Sequence, residues 1–138
     1  MFEFFTEVSV IAAVVATVVA MVLGMIWHSQ TLFGKEWMKL VGLNMKEAQK
    51  SAGAAMMYGV LHTFVVVYCI GILLAIAAPL TVQEALVWGL LSWFAFAGHV
   101  LLNDVIWARK PIKLFVINAG YSLLMTEIVI LVYWFLPM

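Results

Sequence analysis

Charge is scarce in this chain. Seven Lys/Arg and seven Asp/Glu make up 10% of 138 residues, against roughly 25% charged in soluble domains, while 67% are hydrophobic. Water is thereby excluded as its main solvent. Cysteine is scarcer still: Cys69 stands alone, so no intrachain disulfide and no C-x-x-C redox or zinc pattern can form. The N-terminus, MFEFFTEVSV, carries Glu3 and Glu7 where a secretory signal has Lys or Arg, and no small-residue cleavage site follows; the first apolar run is expected to be retained. No Ser/His/Asp order, glycine-rich phosphate loop or HExxH occurs. The basic loops hold too few charges for specific nucleic-acid binding.

What is present is a set of long apolar runs. Residues 8–26 are 19 uncharged positions, close to the ~20 that a helix needs to cross ~30 Å of hydrocarbon. Within them Ala12, Ala16, Ala20 and Gly24 recur at every fourth position, a ridge over which another backbone can approach closely. Residues 32–43 fit a short helix lying in the membrane interface as an anchoring linker: Phe33, Trp37, Leu40 and Val41 share one face, and Lys35, Glu36 and Lys39 take others. Trp27 and His28 stand at the same surface, and Gly42 ends the helix. Asn44 and Glu47 have the spacing of an N-cap pair, which starts the next helix at Met45. Residues 51–83 hold no charge, so span 2, about 52–78, is tilted or overlong. Pro79 ends it, Thr81 with Glu84 repeats the cap and opens span 3 at 82–103, and Pro111 suits the first turn of span 4 at 111–136. The expectation is an all-α integral membrane protein, one domain over 1–138, with four transmembrane helices and a short interfacial helix between spans 1 and 2.

The cations are unevenly placed. Lys35, Lys39, Lys46 and Lys50 lie between spans 1 and 2, Arg109, Lys110 and Lys113 between spans 3 and 4, and no other segment has any. With four spans, all seven fall on one face, which the positive-inside rule makes cytoplasmic; both termini are then outside.

Two segments carry a resemblance. G-x-x-W-H-x-x-x-L-F-G-K-x-W-M-K-L-V-G-L at 24–43 and K-P-x-K-L-F-x-I-N-A-G-Y at 110–121 resemble the bacterial membrane family catalogued as domain of unknown function 1761, over essentially the whole chain. Similar sequences usually carry Tyr where this chain has His28. The resemblance implies a scaffold in the bacterial cell (inner) membrane and brings no catalytic residue and no cofactor.

Polar residues inside the spans are the remaining clues, since a charge at mid-helix costs about 2.5–3.5 kcal/mol on insertion scales. At ~1.5 Å per helical residue, His62 and Glu127 lie near the midplane, while Tyr58, His99, Asn118 and Tyr121 lie in the cytoplasmic third. Asn103, Asp104, Trp107 and His28 lie close to that surface. On span 3, Trp88, Ser92, Ala95, His99 and Asn103 form one stripe, expected to face the bundle interior. Tyr58, His62 and Cys69 share a face of span 2. The histidines differ in depth, which disfavours a shared metal or haem and favours packing hydrogen bonds; no metal site is expected.

Glu127 follows Asn118 by nine positions, half a turn beyond two full turns, so the two take opposite faces of span 4. If Asn118 and Tyr121 face inward, Glu127 with Gly120, Leu131 and Trp134 faces outward; the opposite choice pairs Glu127 with His62. Either way a polar face points out, which suggests a homo-oligomer or a partner membrane protein meeting span 4. An isolated midplane carboxyl favours its neutral form, and a His62 partner favours the ionised one. The first reading is therefore a non-enzymatic oligomeric or accessory membrane subunit. A small-solute or proton-coupled transporter using His62 and Glu127 is the second, and a cofactor-binding membrane enzyme the third.

Overall fold

The computed structural model describes residues 7–136, so Glu3 lies outside the described residues. Their regular structure is entirely helical. Ser9 opens α1 (Val10–Trp27): its Oγ accepts from the Ala12 N–H at 3.3 Å. α2 (Gly34–Val41) stops at Gly42, whose φ of 73° is the left-handed conformation that a residue without Cβ adopts at little cost. Asn44 Oδ1 accepts from the Glu47 N–H at 2.9 Å and opens α3 (Met45–Ala77) where the cap predicts. Thr81 Oγ1 accepts from the Glu84 N–H at 3.2 Å, the Glu84 carboxylate accepts from the Leu80 N–H at 2.8 Å, and α4 (Val82–Trp93) begins. A π turn (Phe94–Gly98) joins α4 to α5 (His99–Ile106), and α6 (Ile112–Phe135) starts after Pro111. Four helical stretches, Val10–Trp27, Met45–Ala77, Val82–Ile106 and Ile112–Phe135, are long and apolar enough to cross a membrane. α2 is the short helix between the first two.

α6 is the central helix: it runs along α1 and α4, more narrowly along α3, and α3 hardly meets α4. Small side chains make these seams. Ala12, Ala13, Ala16, Thr17 and Ala20 are buried on α1, Ala85 and Gly89 on α4, and Val67, Gly71 and Leu74 on α3, against Thr126, Val129, Ile130 and Tyr133 of α6. Lipid tails are as apolar as these side chains, so the helices are held by close dispersion contact and by hydrogen bonds rather than by escape from water. The predicted ridge Ala12, Ala16, Ala20 is fully enclosed, and Gly24 continues it against the Tyr121 ring. Tyr133, nearly inaccessible, donates its hydroxyl to Val67 O at 3.1 Å and ties α6 to α3.

The expected inward stripe of span 3 is corrected, and the face shared by Tyr58, His62 and Cys69 on span 2 is located. On the third stretch, Trp88 is 51% exposed, and Ala95, His99 and Asn103 also face outward; only Ser92 is partly covered. α4 instead turns Ala85 and Gly89 to α6, because close backbone approach favours the residues with least bulk. The π turn then breaks the register: the His99 N–H bonds to Phe94 O, five residues back, so one extra residue is accommodated and every face predicted beyond it is rotated. The Trp93 ring lies over Gly98, where a Cβ would stand 2.9 Å from Cη2 and Cζ3. On α3, Tyr58, His62 and Cys69 are all exposed, and the covered face is Val67, Gly71 and Leu74.

These seams predict opposite outcomes for two glycines of α3. A Cβ at Gly71 would sit 2.9 Å from Tyr133 Cζ and Val8 Cγ1, so Gly71→Ala should destabilise by about 1–3 kcal/mol. Gly53 has nothing within 4 Å, so Gly53→Ala should be neutral or stabilise by up to about 1 kcal/mol. Unfolding of both variants in detergent checks the pair, and equal destabilisation would contradict the packing.

Candidate functional site

The chain reverses direction at the end of α1. Phe33 N–H bonds to Trp27 O at 3.2 Å and Gly34 N–H to Ser29 O at 2.9 Å. Gly34 is buried in this turn; a Cβ there would collide with the carbonyls of His28 and Ser29, which belong to backbone and cannot yield. The reversal swings α2 across the end of α6. Trp37 Nε1 then donates to Asn118 Oδ1 at 3.1 Å, and Trp27 Nε1 donates to Ile117 O at 3.1 Å. Trp27 also covers Gly120, with Cζ2 at 3.2 Å from where a Cβ would stand, and stacks tilted on Phe33 at 4.7 Å.

His28 is enclosed by rings. Its centroid lies 5.4 Å from Trp37 and 5.1 Å from Tyr121, both edge-on, and its Nδ1 lies 3.1 Å from Gly24 O. A carbonyl only accepts, so Nδ1 carries the proton. Outside this cluster Glu36 and Lys113 form an ion pair of 3.0 Å between α2 and α6, with Lys113 mostly in the open. Lys35 and Lys39 are exposed and make no part of the cluster. Trp27, His28, Phe33 and Trp37, expected as interfacial anchors, are thus one clamp on Asn118 and Tyr121, which were expected as inner polar residues. Both indole N–H groups of the clamp have an acceptor on α6, so it joins α1 and α2 to that helix.

A second link lies along α6. Trp93 Nε1 donates to Ser122 Oγ at 2.8 Å, and that hydroxyl donates on to Ala119 O at 3.2 Å. Sequence reasoning passed over this pair. Its signal was an indole N–H, which needs an acceptor once buried, and a serine on another span.

Glu127 differs from all of these. It lies on the face of α6 opposite Asn118 and rests on Gly89 of α4, its oxygens 3.0 and 3.2 Å from where a Cβ would stand. Both oxygens are buried and neither has a hydrogen-bond partner among the described residues. The predicted pairing with His62 does not form, since His62 lies on the exposed side of α3. The premise that one polar face of α6 must point out is also corrected: α2 covers Asn118 and α4 covers Glu127, because α6 occupies the centre of the bundle and has neighbours on opposite sides. Tyr58, His99 and Asn103 are exposed and join neither group. Among the described residues no three His, Cys, Asp or Glu side chains are grouped so as to hold a metal ion.

Between α3 and α4 the bundle is open. Two adjoining cavities of about 260 and 330 Å³ share Ile70, Leu73 and Ser92, with Ile130 and Met125 of α6 beneath.

The family profile described as "Protein of unknown function (DUF1761)" matches residues 11–133, which includes the whole clamp, Glu127 and the open cleft. No curated protein and no solved structure matches the chain.

The clamp predicts energetic coupling between α2 and α6. In a double-mutant cycle of Trp37→Phe and Asn118→Leu, the two changes should be less than additive by about 0.5–1.5 kcal/mol, measured by unfolding in detergent. Full additivity would mean that the bond is not made.

Proposed function

The chain belongs to this family, and we propose that it is a non-enzymatic integral protein of the bacterial inner membrane that works as a homo-oligomer assembled through α3. One observation carries the reading: α3 is 33 residues long, yet its buried residues, Val67, Gly71 and Leu74, all fall in its second half. At ~1.5 Å per residue it is about 50 Å long, against about 27 Å for α1, so its first half runs on without a neighbour. That half carries Ser51, Ala55 and Gly59 at every fourth position, the same kind of ridge that α1 buries against α6.

The occupant that suits this ridge is a second copy. A small-residue ridge is self-complementary about a two-fold axis, and Glu47 lies between Lys46 and Lys50, so two parallel copies bring unlike charges to the same level. Docking there would also give the uncovered side of the α3/α4 cleft a neighbour. This reading prefers α3 to span 4 because α2 and α4 already meet Asn118 and Glu127, the polar groups on opposite faces of α6. The seven cations make the α2 end cytoplasmic and put both termini outside, and the Glu36–Lys113 pair, which joins the two lysine-bearing loops, supports one common face for them. The non-enzymatic reading is supported by what the clamp's polar contacts do: the Trp27 and Trp37 indoles donate to Ile117 and Asn118 and so join helices to each other.

Cross-linking tests it. With Cys69→Ser as background, Ala55→Cys oxidised in native membranes should give a covalent dimer, and Val14→Cys on the open face of α1 should not. Equal yields at both sites would sink the α3 interface. For the orientation, alkaline phosphatase fused after Met138 should be active in cells; an inactive fusion made at normal level would reverse the topology.

A further inference from the structure

Among the described residues, Glu127 is the one whose buried side-chain oxygens have no hydrogen-bond partner. Protonation alone does not complete it where it lies, because a carboxylic acid hydroxyl needs an acceptor and neither oxygen has a partner among the described residues. The surroundings offer no remedy: the groove that Glu127 shares with Leu86, Val87, Leu90 and Leu123 is otherwise apolar, and Val87 and Leu90 stand half exposed on the outer surface of α4. The groove is shallow and wide open, with a volume of about 320 Å³. It opens sideways between α4 and α6, toward lipid rather than along the bundle axis.

We propose that this groove binds a lipophilic organic cation, an ammonium or phosphonium centre carrying apolar substituents, with Glu127 as its counter-ion. Charge and shape both select that class. A buried carboxylate is tolerated when an opposite charge meets it, and no Lys, Arg or His of this chain lines the groove. A metal ion would need several oxygen ligands, and the groove supplies only one carboxyl. An anion or a neutral sugar would leave the carboxylate unmatched. A cation with its own apolar coat satisfies the charge, fills the leucine-lined walls and reaches the site through the bilayer. Glu127 needs only a change of rotamer to leave Gly89 and meet it.

The test uses tetraphenylphosphonium as the probe, titrated calorimetrically into the full-length protein in a mild detergent. One saturable site per chain is expected, weakened at least about 30-fold by Glu127→Gln, the loss typical of a desolvated ion pair deprived of one charge. Leu90→Trp, which fills the groove without touching the carboxyl, should weaken binding to a similar degree. Thermal unfolding reports whether each variant is folded, and if the Gln variant is not, Leu90→Trp decides alone. Saturable binding that neither variant alters would overturn the proposal, as would a wild type that takes up no probe. If the wild type takes up none and Glu127→Gln breaks the oligomer apart, the counter-charge comes from a neighbouring helix and the proposal fails.

Discussion

Indole N–H groups that end on one helix hold this fold in register. Trp27 donates to Ile117, Trp37 to Asn118 and Trp93 to Ser122, and all three acceptors belong to α6. Tyr133 adds a fourth bond from α6 to α3. A tryptophan has a donor and no acceptor, so in hydrocarbon it must find an oxygen or leave a polar group unmet. Each such bond is worth little by itself, but together the four tie α6 to four other elements, α1, α2, α3 and α4. They fix the depth and rotation of α6, which dispersion between alanine and glycine surfaces alone would leave free to slide.

The central place of α6 explains the rest of the arrangement. A helix at the corner of a four-helix bundle shows one face to lipid, and polar groups on opposite faces cannot both be covered. A helix in the middle has neighbours on both sides. Asn118 is met by α2, which reaches it only because Gly34 permits the tight reversal after α1. Glu127 is met by α4 at Gly89, where a larger residue would collide with Ile130 and the carboxyl. What α6 gains in neighbours α3 loses, and its first half is left bare.

Much of this was legible in the sequence where the signal is local. The caps at Asn44 and Thr81, the stop at Gly42 and the ridge on α1 depend on a few adjacent residues, and the structure has each where its chemistry places it. The inward faces of α3 and α4 were not legible, for two physical reasons. In lipid an exposed Val87 or Leu90 costs nothing, so hydrophobicity does not separate inside from outside, and small size does. The π turn, moreover, has no proline to announce it; at its end Gly98 lies under the Trp93 ring. Which residue met Asn118 was also hidden: the partner, Trp37, is 81 positions away. Both segments that carried the family resemblance turn out to supply the two halves of the clamp, a relation visible only once α2 is seen lying across α6.

The proposed homo-oligomer would cover the first half of α3, which one chain leaves bare. Native mass spectrometry of the protein released from its own membrane with lipid retained tests that most directly. The account predicts a mass of two or more copies of the 15.4 kDa chain. A single copy under the gentlest release, or one copy joined only to a different protein, would contradict it.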